Sequence, residues 1–355
     1  MNIAQRKSET YQTTSQEKDK PFGQKVLKIL MSLIPWAIVG GLLWAGFFVK
    51  PHVSVQDIAT PPIEKRDHIY GISVIAPKYI WLAGSYGKIL LSENGGKSWV
   101  RQNTGTRLNL QDISAWDRQH AVAVGNSGIV LVTDNGGKNW VEVSVPKSEI
   151  ANKLIRVHTY KNGVAWAVGE VGMILRTEDY GKSWIRMRKE EDVAMNDVIA
   201  VTENKIFVVG EFGSLFKSND GGRTWEDIQT ESPVSLMAID FRSPEDGVIV
   251  GLDGVILTTI DGGKTWVSIE NKVSGTDEHL MDVQWSAPTK SWLAVGNKGI
   301  YVKFSGDLKN FHSGELSKTE LLTHTELAVV NNGFYTVGAN VGFKDFKTGK
   351  YIDLE

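Results

Sequence analysis

An all-β, seven-bladed β-propeller with Asp-box hairpins, preceded by one N-terminal transmembrane helix, is the fold class that three observations predict. First, the motif V/A-G-x-x-G occurs six times and a seventh time in decayed form (FYTVGANVGFKDF), with leading glycines at Gly84, Gly125, Gly169, Gly210, Gly251, Gly296 and Gly338, in steps of 41, 44, 41, 41, 45 and 42 residues. Second, in the first six copies an aromatic residue closes the unit 15 residues after that glycine. Third, an uncharged stretch of 21 residues, Ile29 to Val49, lies ahead of the repeats.

The first element is an N-terminal tail, residues 1–25, polar and without periodicity, as expected of a flexible cytoplasmic segment. A transmembrane helix is expected over 26–50, since its uncharged core rises about 31 Å at roughly 1.5 Å per residue. Lys18, Lys20, Lys25 and Lys28 precede it and only Lys50 closely follows, so the positive-inside bias keeps the N-terminus cytoplasmic. The inner membrane with a periplasmic propeller is the localisation this implies. The apolar run is too long for a signal peptide, and no clear A-x-A site follows. Ala37, Gly41 and Ala45 recur every four residues on one helix face, a small-xxx-small pattern that suits a partner helix, while Pro35 should bend the span. Residues 51–68, with Pro51, Pro61 and Pro62, read as a linker too short for the exported domain to roam.

From residue 69 to 355 the repeats run end to end: an apolar strand, V/A-G-x-x-G, a second strand, a polar turn and Trp. Segments such as LQDISAW (110–116), NDVIAV (196–201) and MDVQWS (281–286) supply the first strand of each unit. A period in the low forties with four short strands marks a propeller blade, which cannot bury both faces alone. Closing the ring removes open sheet edges and leaves a channel lined by the innermost strands. The polar turns pair Asn94 with Trp99, Asn135 with Trp140, Asp179 with Trp184, Asp220 with Trp225, and Asp261 with Trp266. Their chemistry is structural: Asp or Asn bonds turn amides, Gly accepts positive φ, and Trp packs between sheets. The sixth copy departs, with Ser305-Gly306-Asp307 out of register and Phe311 for Trp, and the seventh has no box.

Composition limits the function. The 355 residues include 41% hydrophobic and 23% charged residues, ordinary for a globular protein, and 39 Lys+Arg against 41 Asp+Glu point away from a nucleic-acid partner. Zero Cys excludes disulfides, thiolate zinc and a Cys nucleophile. The boxes carry too few carboxylates for calcium, and G-x-x-G lies between strands, where it opens no phosphate-binding helix. No residue is assigned as catalytic, cofactor-binding or metal-binding. Glu170, Glu211 and Asp253 sit on equivalent glycine turns, but no Tyr-Glu or Arg-rich arrangement accompanies them, and the seven His show no ligand spacing.

The repeat V-G-x-x-G-x-I-L-x-S/T-x-D-x-G-x-S/T-W, with Val209 to Trp225 as one close copy, resembles the photosystem II assembly and stability factor family of propellers over about residues 70 to 345. The resemblance implies a non-enzymatic scaffold that helps assemble a membrane complex. Related repeats in bacteria without photosynthesis look like accessory proteins of RND-type, MMPL-domain exporters, so such a transporter is the partner it implies. The long anchor departs from photosynthetic members. Those members present an arginine-rich face, for which Arg101, Arg107, Arg186 and Arg188 are the candidates here, with Lys189 beside them. Two other expectations stay open: an envelope glycan-binding or sialidase-like propeller, and a photosystem II assembly factor.

Overall fold

The computed structural model describes residues 22–49, 61–64 and 66–354. Most of the expected tail 1–25 and residues 51–60 of the expected linker lie outside the described residues. The chain divides into two compact units, Met1–Ala59 and Thr60–Glu355.

In the first unit, helix α1 spans Phe22–Phe48 and is long and apolar enough to cross a membrane, as an anchor or as a signal sequence. It starts four residues before the expected 26 because Phe22 to Lys25, though polar in part, contain no breaker stronger than Gly23. The helix runs on through Pro35. Ala37 and Gly41 are exposed, Ala45 is partly so, and the space above Gly41 is open.

In the second unit the described residues form seven four-stranded antiparallel sheets, each a meander of consecutive strands. We number the blades in chain order: Ile69–Arg101, Leu110–Glu142, Leu154–Arg186, Met195–Asp227, Leu236–Ser268, Leu280–Glu315 and His324–Asp353. The second strand of every blade is buried along its whole length, which is why these segments read as near-continuous apolar runs of aliphatic and aromatic residues. The apolar clusters lie between adjacent blades, as in the set joining Ile72, Ile80 and Leu82 of blade 1 to Val337 and Val341 of blade 7.

Each glycine motif solves two problems. The leading glycine is extended and pairs with the first residue of the innermost strand, where a bulge shifts the register, as between Ile69 and Gly71 or Leu110 and Asp112. A Cβ on Gly84 would run into the His68 carbonyl oxygen, so only glycine lets the bulged strand come this close. The second glycine closes a tight turn: Tyr86 (φ 57°) and Gly87 (φ 68°) are both left-handed, and Lys88 N donates to Ser85 O at 3.1 Å.

The box turns repeat one hydrogen-bond pattern. In blade 4 the Ser218 hydroxyl donates to Asp220 Oδ1 (2.8 Å), Gly222 N donates to Ser218 Oγ (2.8 Å), and Thr224 N donates to Asp220 Oδ1 (2.9 Å). Asn94, Asn135, Asp179 and Asp261 accept the equivalent amide at 3.0, 3.0, 2.9 and 3.0 Å. Blade 6 keeps the contact despite its shorter turn, with the Ser305 hydroxyl on Asp307 and Asn310 N donating to Ser305 Oγ at 3.1 Å. The box Trp packs on an aromatic of the preceding blade: Trp140 meets Trp81 edge-on (5.6 Å, 90°), Trp225 meets Trp166 (6.3 Å, 87°), and Trp266 meets Phe207 (6.2 Å, 83°).

Candidate functional site

The third residue of the innermost strand, just after the bulge, is Gly71, Asp112, Arg156, Asp197, Ala238, Asp282 and Glu326 in blades 1 to 7. The bulge aims these side chains into the channel and toward the next blade. There each carboxylate accepts a backbone amide across the seam: Val157 N on Asp112 (2.8 Å), Ile239 N on Asp197 (3.0 Å), Leu327 N on Asp282 (2.8 Å) and Ile72 N on Glu326 (3.0 Å). Two residues further on, Ser73, Ser114, Asp240 and Gln284 repeat the clamp on Ala115, Thr159, Trp285 and Val329 amides, at 3.1, 3.1, 2.7 and 2.7 Å. Strand periodicity of two explains the pair of tiers.

Arg156 stands alone among these acids. Its guanidinium is 3.3 Å from Glu326 and 3.9 Å from both Asp197 and Asp282, and His158 Nε2 lies 2.8 Å from Asp197. Burial opposes charge on Arg156, but the surrounding carboxylates push its pKa up. Burial pushes Asp240 up to about 7 and Asp282 up to about 6, and raises Asp112 and Glu326 too. Burial also works to raise Asp197, but His158 and Arg156 hold it below the ordinary carboxylate range. A cavity of about 460 Å³ at one channel mouth is lined by His158, Tyr160, Asp240, Asp282 and Glu326 among others.

A different surface collects the exposed apolar groups. The glycine turns and the connections between blades share one face of the ring, and on it Tyr86 (60% exposed), Leu108, Ile150, Phe212 (74%), Leu321 and Leu322 project to solvent. On the opposite face, that of the boxes, Ile260 is the exposed large apolar side chain among the described residues. Tyr86 and Phe212 hold left-handed backbone, where a bulky residue is strained and rare. Arg101 and Arg107 line a groove with Tyr86 on this face, and among the described residues neither has an ion-pair partner. Thr104 Oγ1 donates to Gly87 O at 2.7 Å, tying the groove floor to the turn.

The four arginines therefore divide. Arg186 Nη1 donates to Glu190 (2.6 Å), while Arg188 pairs with Glu191 and covers the Phe216 ring at 4.0 Å. Both are neutralised by acids of the connection that follows blade 3, so Arg101 and Arg107 form the available pair. Glu170 and Glu211 are occupied in structural roles, accepting Lys153 N (2.8 Å) and Ala194 N (3.0 Å), and Asp253 lies 3.5 Å from His279. Among the described residues no group of His, Asp and Glu is arranged to hold a metal ion.

Residues 103–193 and 187–260 match the family described as photosynthesis system II assembly factor YCF48. A solved structure described as YCF48 bound to D1 peptide is similar, with a TM-score of 0.64 and 18% identity over 77% of this chain and 91% of that one. YCF48 from Cyanidioschyzon merolae gives a TM-score of 0.63 and 15% identity, covering 78% of this chain and 94% of that one. An ancestral GH74 enzyme gives 0.63 and 12%, covering 80% of this chain but 46% of its own length. At these identities the likeness is one of fold. No curated protein matches the sequence.

Proposed function

On the premise that the chain is a YCF48-like repeat propeller, we propose that it is a non-enzymatic, membrane-anchored scaffold whose ring binds an exported segment of an integral membrane protein. The observation that carries this reading is the groove of Tyr86, Arg101 and Arg107, two guanidinia without an ion-pair partner among the described residues, beside an exposed aromatic on the apolar-studded face. Guanidinium forks suit carboxylates through paired, charge-assisted hydrogen bonds, and a flanking aromatic adds apolar contact without much ordering entropy. An acidic, partly apolar peptide is the ligand this chemistry selects. The solved YCF48 with D1 peptide supports peptide recognition by a propeller of this fold.

Helix α1 supplies the anchor, with the N-terminus cytoplasmic and the ring periplasmic by the lysine bias at its start. Ala37, Gly41 and Ala45 offer a second contact to the partner's own helices. An RND-type transporter is the first partner to test, and a photosystem complex the second.

The test is capture of membrane proteins by the full-length chain in detergent. Arg101→Glu with Arg107→Glu should cut recovery of the specific partner about tenfold, the scale of one lost charge-assisted contact. Ala37, Gly41 and Ala45 replaced together by Leu should weaken recovery by itself, and Ile260→Ser on the other face should not. Undiminished recovery after the charge reversal would contradict the reading.

A further inference from the structure

Six of the seven seams between blades are crossed by the chain, whereas the seam between blade 7 and blade 1 is not. Among the described residues the first sheet is made wholly of strands from Ile69 to Arg101 and the last wholly of strands from His324 to Asp353, with no exchanged strand stapling the ends together. Closure there rests on side chains: Ile72 N donates to Glu326 Oε2 (3.0 Å), Thr325 Oγ1 donates to Tyr70 O (3.2 Å), and Tyr335 OH donates to Gly95 O (3.3 Å). Glu326 is used twice, since the same Oε2 lies 3.3 Å from Arg156 Nη1.

We propose that Arg156 is the latch of the ring, holding blade 7 through Glu326 from the far side of the channel, and that the surplus of carboxylates around it makes the closure respond to protons. Arg156 comes from blade 3 and meets acids of blades 4, 6 and 7, so one guanidinium ties together sheets that share no strand. Its buried Nε has no hydrogen bond among the described residues, and the pairs to Asp197 and Asp282 are long, so charge holds this centre more than hydrogen-bond geometry does.

The groups facing the centre can be counted blade by blade. Blade 2 brings Asp112, blade 3 His158 and Tyr160, blade 4 Asp197, blade 5 Asp240 and Arg242, blade 6 Asp282, and blade 7 Glu326; blade 1 brings only Gly71 and Ser73. The Arg242 charge is met by Asp246 at 2.8 Å and covers the Trp285 ring, which leaves Arg156 and His158 for five carboxylates. Five acids so close cannot all ionise against so little positive charge, so the centre holds protons that the unfolded chain would release. The raised positions of Asp282, Asp240 and Glu326, caused first by burial, agree in direction. For acids raised in the fold, the stabilisation is complete below the ordinary carboxylate range and is lost as pH climbs through the raised values. The seam should therefore be tightest in mild acid and loosen toward alkaline pH.

Amide exchange of the full-length chain in detergent, corrected for the intrinsic pH dependence of exchange, tests this. Between about pH 6 and pH 8.5, protection of Ile69–Ala76 and His324–Val330 should fall about tenfold more than that of Leu154–Thr159 and Met195–Ala200. Glu326→Gln keeps an acceptor for Ile72 but cannot ionise and gives up the charge that Arg156 grips, so protection of its seam should no longer change between the two pH values. Arg156→Met should open the same seam at the higher pH and recover at the lower. If Arg156→Met does not fold, Glu326→Gln decides alone. A wild-type pH response in Glu326→Gln, or an equal loss at all seams, would overturn the proposal.

Discussion

Trp140→Ala probes the claim that the box tryptophans bind each blade to the one before. Trp140 is 9% exposed and stands edge-on to Trp81 of blade 1 at 5.6 Å. Truncating such a residue costs about 3 to 5 kcal/mol, of which the aromatic pair accounts for roughly 0.5 to 1.5. The Trp140 indole N–H is buried with no hydrogen-bond partner among the described residues, so its removal returns about 1 kcal/mol and places the loss near 3. Trp184 differs in one respect, since its Nε1 donates to Gly181 O at 2.9 Å. Phenylalanine separates the two effects: Trp140→Phe should cost about 1 kcal/mol, while Trp184→Phe should cost about 1 more by leaving the Gly181 carbonyl unmet. Urea unfolding of the full-length chain in detergent, followed by far-ultraviolet circular dichroism, measures both. A loss under about 1 kcal/mol for Trp140→Ala, or Trp140→Phe costing more than Trp184→Phe, would refute the packing argument.

Three further outcomes follow from named contacts. Gly137 has φ +85° and a Cβ there would lie 2.5 Å from Trp81, whereas Gly105 (φ +69°) has open space, so Gly137→Ala should lower the thermal midpoint well beyond the modest loss for Gly105→Ala. Hydrogen bonds from Thr224 and Ser218 hold Asp220 down at about 2. A lowered carboxylate stabilises fully above its ordinary range and stops doing so as pH falls through its folded value, so Asp220→Asn should flatten the acid limb of the wild-type midpoint-against-pH curve below about pH 4. That limb slopes opposite to the one expected from the channel above about pH 6, and a titration of midpoints should resolve the two. An alkaline phosphatase fused after Glu355 should be active in cells, and a cytoplasmically active reporter there would reverse the assigned orientation.

The propeller was legible because its devices must recur. A glycine is needed wherever the bulged inner strand approaches as Leu110 approaches Gly125, and in five of the seven blades a Trp packs the box against the neighbouring blade, so both repeat at fixed spacing. The channel centre was hidden for the opposite reason. Asp112, Asp197 and Asp282 stood in plain view within LQDISAW, NDVIAV and MDVQWS, but the same place in other blades holds Gly71, Arg156, Ala238 or Glu326, and only closure brings them together. Glu170 and Glu211 read as turn residues with no assigned role because sequence does not show that each accepts the amide just ahead of an innermost strand, 17 residues before it. Likewise, Arg186 and Arg188 looked equal to Arg101 and Arg107 until Glu190 and Glu191 were seen to neutralise them. The contact in blade 6 escaped notice because its turn is one residue shorter, although Ser305 still reaches Asp307.

Site-specific photo-crosslinking in native membranes tests most directly whether the glycine-turn face binds a membrane protein. A photoreactive phenylalanine analogue would replace Tyr86 in the groove of Arg101 and Arg107, and Ile260 on the opposite face, both of which are well exposed. The account predicts a discrete crosslinked integral membrane protein from position 86, lost when Arg101 and Arg107 are reversed to Glu, and none from position 260. Crosslinks of equal yield from both faces, or a product from position 260 alone, would contradict it.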